Sequence, residues 1–308
     1  MNRWPATRRG SKARKAGRCG ATAALVLMLV VGPNAPARGA GDPVLVGAGD
    51  ISNCATDADA ATAALLDKVP GTVFTLGDHV YNTGSAALFS RCYGPTWGRY
   101  KRRTRPAVGN HDYMTPGAAG YFSYFGAAAG PRGKGWHSYN LGSWHIVVLN
   151  SNCDRVGCRT GSPQERWLRA DLAASRARCT LAYWHHPRFS SDNHHGNQSE
   201  VGPFWQALYD YGAEVVLSGH AHVYERFAPQ TPGGGANPGF GIREFVVGSG
   251  GVNHYGFKAP QPHSQVRNAT AFGVLKLTLH PSGYDWRFIS VPGKGFTDAG
   301  SGSCHGRP

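Results

Sequence analysis

Short apolar runs alternate with amphipathic stretches through the first two thirds of this chain. Val44–Ala48, Thr72–Leu76 and residues 106–108 are apolar runs of three to five residues closed by polar or glycine pairs, which predicts three buried strands. Ala61, Ala64, Leu65 and Val69 recur at helical spacing and predict a helix over residues 58–69. Residues 139–150 read as a hairpin turning at Gly142-Ser143. Ser162-Pro163-Gln164-Glu165 opens a helix that runs through Ala174, with Ser162 as N-cap, Pro163 in the first helical position and Glu165 closing a capping box. Residues 180–184, 214–217, Arg243–Val247, 272–279 and 285–291 read as further strands, with 232–241 as a loop. The alternation predicts an α/β domain whose later, β-rich part forms or extends a second sheet. No repeat or linker divides residues 41–308, so one domain over 41–292 and a tail over 293–308 are expected.

Composition changes the picture at the N-terminus. The 308 residues hold 32 Lys+Arg against 18 Asp+Glu, a formal net charge of +14, which by itself points to nucleic acid or a membrane surface. Eight of those basic residues lie in residues 1–40, which carry no acid; without them 24 face 18, a net of +6. No dense basic run remains, and a nucleic-acid partner is not expected. Residues 1–18 are basic, residues 21–31 are apolar except for Thr22, and Ala35-Pro36-Ala37 offers small residues for cleavage. That order predicts a secretory signal peptide over residues 1–40, cleaved near 37–40. The apolar stretch is short of the about 17–25 residues of a membrane span, so no stable membrane anchor is expected. Beyond Cys19 six cysteines remain, an even number that fits an exported protein and allows 15 pairings. The expected set is Cys153–Cys158, Cys54–Cys92 and Cys179–Cys304.

Five predicted strands end alike. They run into Gly49-Asp50, Gly77-Asp78 with Tyr81 three residues on, Gly109-Asn110-His111-Asp112, His185-His186 and Gly219-His220-Ala221-His222. The carboxyl edge of an α/β sheet is where ligands bind. Each pair alone is ordinary turn chemistry; five metal-capable strand ends together are not. Asp, Asn, His and Tyr without thiolate suit Zn, Fe or Mn. The donors outnumber the needs of one tetrahedral ion, so two ions sharing a carboxylate are expected. Such a pair suits in-line displacement at phosphorus by a metal-held water.

These motifs, in this order, resemble those of the calcineurin-like metallophosphoesterases, and within them the purple acid phosphatases, from about Val44 to Val291. The resemblance implies a two-sheet αββα sandwich. It implies a first metal, typically Fe(III), on Asp50, Tyr81 and His222. A second (Zn, Fe or Mn) would lie on Asn110, His185 and His220, with Asp78 bridging. Ser52 stands where many superfamily members carry a histidine, and Tyr81 replaces it as a ligand. His111, and His194-His195 after His185, match outer histidines that orient substrate and protonate the leaving group; His186 is given no role. The implied activity is hydrolysis of a small phosphate monoester by an exported enzyme. A phosphodiesterase on the same site, or an inactive metal-binding surface protein, are the alternatives.

Overall fold

The structure, a computed structural model, describes residues 41–307. The expected leader, with Cys19, lies outside the described residues. Thirteen strands are present among them: β1 (Val44–Ala48), β2 (Thr72–Leu76), β3 (Thr104–Ala107), β4 (His137–Leu141), β5 (Trp144–Val148), β6 (Cys179–Tyr183), β7 (Val215–Ser218), β8 (Tyr224–Phe227), β9 (Arg243–Val247), β10 (Ser264–Asn268), β11 (Gly273–His280), β12 (Gly283–Ser290) and β13 (Thr297–Ser303). They form a six-stranded sheet in the order β13-β12-β11-β1-β2-β3 and a seven-stranded sheet in the order β10-β8-β9-β7-β6-β5-β4. β1, β2 and β3 are parallel, as are β5, β6, β7 and β9. Parallel pairing brings the carboxyl ends of each set to one edge.

The two-residue period of the second sheet shows where the layers lie. Trp144, Ile146 and Val148 of β5, Leu181 and Tyr183 of β6, and Val215 and Leu217 of β7 join one core cluster with Leu45, Val46, Phe74 and Leu76 of the first sheet. The intervening Val147, Ala182 and Val216 face the other way, onto Leu168 and Leu172 of helix Pro163–Ala174 and Phe204 and Leu208 of helix Gly202–Asp210. A strand buried on both faces reads as an unbroken apolar run, which is why these strands stand out in the sequence. Among the described residues no helix is long and apolar enough to cross a membrane.

Some local expectations need adjustment. Ser162 Oγ accepts the Glu165 amide at 3.2 Å as an N-cap should, but the Glu165 carboxylate takes the Gly161 amide at 2.9 Å. The Ser162 amide is already spent on the Arg159 carbonyl, so the box closes one residue early. Residues 293–308, read as a tail, contain β13, which pairs along β12. Its Thr-Asp-Ala-Gly-Ser-Gly-Ser sequence carries no β-branched or aromatic run. The aromatic bulk comes from the partner strand instead: a Cβ at Gly300 would fall 2.4 Å from Trp286.

All three expected disulfides are present. Cys179–Cys304 ties the C-terminal strand to the amino end of β6, and buried Glu214 completes the junction. Its carboxylate accepts the amides of Thr180 at 2.6 Å and Gly306 at 3.2 Å. Burial pushes this carboxyl up to about 7, against the pull of those amides. The unfolded chain releases the proton near 4.5 and the folded chain near 7, so the folded state binds more protons between them. Stability from this group is therefore complete below 4.5 and lost as pH rises through 7, by about 3 kcal/mol in all. Chemical denaturation at pH 5 and pH 8 is expected to show that loss, and Glu214→Gln to flatten it; an equal slope in the variant would overturn the assignment.

Candidate metal centre

Three carboxyl ends of the first sheet and two of the second converge on one buried cluster. Asp50 follows β1, Asp78 follows β2 and Asn110 follows β3, while His185 follows β6 and His220 and His222 follow β7. The loops approach so closely that two glycines are obligatory. A Cβ on Gly77 would sit 2.6 Å from His185 Nδ1, and one on Gly109 would sit 2.1 Å from Asp78 Oδ1. Asp50, Asp78 and His220 themselves hold positive φ angles of 59°, 50° and 67°. Left-handed backbone at three non-glycine residues costs of order 1 kcal/mol each and gathers where function over-determines the geometry.

The cluster has far more acceptors than protons. Tyr81 Oη lies 2.8 Å from Asp50 Oδ1, 2.8 Å from Asp78 Oδ2 and 3.1 Å from His222 Nε2, yet it has one hydrogen to give. His185 Nδ1 donates to the Leu76 carbonyl at 2.6 Å, which turns Nε2 inward. There it meets Asn110 Oδ1 at 2.9 Å, His220 Nδ1 at 3.1 Å and Asp78 Oδ2 at 3.3 Å. His222 Nδ1 donates to Asn253 Oδ1 at 3.0 Å, and its Nε2 faces Asp50 Oδ1 at 3.4 Å. Lone pairs aimed at lone pairs repel unless a cation sits among them. With outer partners fixing the imidazole tautomers of His185 and His222, this donor set fits bound metal ions.

The two buried carboxylates make the cluster a place where positive charge settles. Burial alone would lower the His185 imidazole, but Asp78 beside it pushes it up to about 9. Burial likewise opposes ionisation of Asp78, yet His185 holds its carboxyl well below the usual range. Burial, then Asp50 and Asp78, keep the Tyr81 phenol well above its ordinary value. Burial and the neighbouring His185 hold His220 low, in the neutral form a metal requires.

The outer histidines separate by position. The His195 ring lies 3.8 Å from that of His220, and the half-buried His111 ring lies 4.2 Å from that of Tyr81. His111 is fixed by its amide, which donates to Asp78 Oδ1 at 2.8 Å, and by Nδ1, which donates to the Asn82 carbonyl at 2.7 Å. His194 is exposed and stacks on Tyr255, farther from the donors. Asp112 is turned away from the cluster: its Oδ2 accepts the Gly109 amide at 2.9 Å and His79 Nδ1 at 3.0 Å, pinning the turn that presents Asn110.

His186 is nearer the cluster than its sequence reading allowed, with its ring 4.3 Å from that of His220. Ser151 Oγ accepts the amides of His185 and His186, so its hydroxyl proton goes to His186 Nδ1 at 2.8 Å. Burial and then His185 push this imidazole down to about 3. Asn253 and Tyr255 were also missed in the sequence. Both follow β9, a further parallel strand ending at the same edge in Gly248-Ser249-Gly250-Gly251. The rule that found the other five strand ends passes over this one, because no Asp, Asn or His directly follows Val247.

The family model of calcineurin-like phosphoesterases matches residues 43–224, more than half of the chain. The chain belongs to the calcineurin-like phosphoesterase family. Among curated relatives of this phosphoesterase, purple acid phosphatase 15 of Arabidopsis thaliana is 25% identical over 198 residues, covering 53% of this chain and 37% of that protein. Purple acid phosphatase 18 of the same plant is 28% identical over 153 residues, covering 47% and 34%. An uncharacterized protein of Mycobacterium tuberculosis is 30% identical over 146 residues, covering 40% and 28%. The chain thus spans about a third of the length of the curated relatives it matches. Its fold is shared with purple acid phosphatase PPD1 of yellow lupin, at a TM-score of 0.70 and 18% identity over 85% of this chain and 53% of that one. GAP50 of Plasmodium, whose structure is described as an anchor in the inner membrane complex, gives 0.63 and 12% over 87% and 90%.

Proposed function

We propose that this phosphoesterase is an exported, metal-dependent hydrolase of small phosphate monoesters. The observation that carries the reading is the buried, acceptor-rich cluster sharing Asp78, with His111 and His195 set beside it. Asp50, Tyr81 and His222 would hold one ion, best suited to Fe(III) because of the phenolate. Asn110, His185 and His220 would hold Zn, Fe or Mn, with Asp78 between them. Two ions supply Lewis acidity toward the phosphoryl oxygens and an acidified water.

The chain's own residues do the rest. Asp50 and Asp78 are almost fully buried, so bulk water is excluded from the donors. His111, held at both its amide and Nδ1, is placed to bind a phosphoryl oxygen. His195 gives a proton to the departing oxygen as its bond to phosphorus breaks, while the water oxygen ends on phosphorus. Without that proton an alkoxide leaves poorly. The leader-like residues 1–40 and the three disulfides support export.

The test is initial rates on a matched aryl phosphate monoester and diester, with protein loaded with iron plus zinc or manganese. Faster monoester cleavage is expected. A clear diester preference would move the substrate class to diesters. A metal-replete protein inert on every ester would favour a non-catalytic surface role.

A further inference from the structure

The loop that carries His194 and His195 is fastened from inside by one carboxylate. Asp192 is 1% exposed. Its Oδ1 accepts the amides of His194 at 2.8 Å and His195 at 2.7 Å, and its Oδ2 accepts the Gly196 amide at 2.8 Å and Ser190 Oγ at 2.9 Å. Three successive amides aimed at one point make an anion-binding concavity, here filled by the chain's own side chain. Burial opposes ionisation of Asp192, but the three amides hold its carboxyl below the usual range.

A second fastening comes from the loop after β9. The Asn193 amide donates to the Gly256 carbonyl and the Gly256 amide to Asn193 Oδ1, both at 3.0 Å. This reciprocal pair brings Tyr255 against three histidines. Its ring stacks on His222 at 4.1 Å and 8°, stacks on His194 at 4.6 Å and 16°, and meets His195 edge-on at 5.4 Å. Tyr255 thus occupies the space into which His194 or His195 would otherwise turn. His195 is left facing His220.

We propose that Asp192 and Tyr255 are positioning residues that hold the His195 imidazole over the candidate metal centre, where it meets the leaving group. The proposal rests on the phosphoesterase reading and deepens it. Asp192 fixes the backbone from which His195 projects, and Tyr255 limits the directions its ring can take. His194 serves as the outer face of that stack. Proton delivery matters most when the departing oxygen is basic, so misplacing His195 should penalise alkyl phosphates more than nitrophenyl phosphate.

The experiment compares wild type with Asp192→Asn, Tyr255→Ala, Tyr255→Phe and His195→Gln, each checked for metal content and melting temperature. Hydrogen exchange of the amides at 194–196 reads the anchor without reference to turnover. Asp192→Asn keeps one oxygen for the His194 and His195 amides but sets an NH2 against the Gly196 amide, so exchange is expected to quicken first at Gly196. A well-placed acid contributes about 10²–10⁴-fold, so partial misplacement in Asp192→Asn and Tyr255→Ala is expected to shift the ratio of kcat/KM for nitrophenyl phosphate over an alkyl phosphate upward by about tenfold. His195→Gln should shift it further in the same direction, and Tyr255→Phe, which keeps the stack, should restore the wild-type ratio. Should Asp192→Asn fail to fold, the Tyr255 pair carries the comparison. An active wild type whose ratio neither Asp192→Asn nor Tyr255→Ala moves would overturn this proposal alone. An inert wild type would instead sink the phosphoesterase reading.

Discussion

Asp78→Ala is expected to lower kcat/KM by about 10³-fold or more, since the Lewis acidity of the proposed ions would be worth several kcal/mol of transition-state stabilisation and each 1.36 kcal/mol is tenfold. The same change should strip bound metal, as measured by elemental analysis after gel filtration. Asp78 Oδ2 meets a side chain of each half, lying 2.8 Å from Tyr81 Oη and 3.3 Å from His185 Nε2, while Oδ1 holds the His111 amide. Alanine removes the shared donor and releases an outer histidine at once. Asp78→Asn makes a useful companion, because its amide oxygen can still accept the His111 amide. It should therefore keep the fold while losing metal. Full activity in Asp78→Ala would end the two-ion reading.

The second large effect is on stability. Replacing Cys179 and Cys304 together with serine opens a loop of 125 residues. The chain-entropy argument assigns such a cross-link about 5 kcal/mol, or about 10 °C in melting temperature for a domain of this size. Both cysteines are buried, so the serine hydroxyls add some desolvation cost. The bond lies at the amino end of β6, whereas His185 follows its carboxyl end. Metal content at 25 °C should therefore stay that of the parent while the melting temperature falls. A variant that melts with the parent would show that β13 is held by its pairing with β12 alone.

Legibility in the sequence followed burial. β1 and β2 and helix Pro163–Ala174 have the bounds expected of them, because buried parallel strands are largely apolar runs and the helix carries its own start signal; β9 was found from its Phe-Val-Val end. β8 was missed because its Tyr-Glu-Arg-Phe is interrupted by Glu225, a buried carboxylate that accepts the Ser191 amide at 2.8 Å and is therefore core despite its charge. β10, at the edge of its sheet, reads Ser-Gln-Val-Arg-Asn and offers no apolar face. In the site, the converging side chains announced themselves as strand ends. The partners that aim them did not: the acceptor for His185 is the Leu76 carbonyl, and backbone atoms leave no mark in a sequence. Asn253 and Tyr255 stand beyond a glycine run that leaves the end of β9 without a metal-capable side chain.

The division of the donors between the sheets carries a mechanical consequence. Asp50, Asp78, Tyr81 and Asn110 belong to the six-stranded layer, and His185, His220 and His222 to the seven-stranded one. Each ion would thus take donors from both layers and act as a rivet between them, at the opposite end of β6 from Cys179–Cys304. Sliding of one layer over the other would then be braced at two ends, one covalent and one metallic. Side chains packed between the sheets, such as Phe74 and Leu217, become spacers that set the width of the gap in which the chemistry takes place.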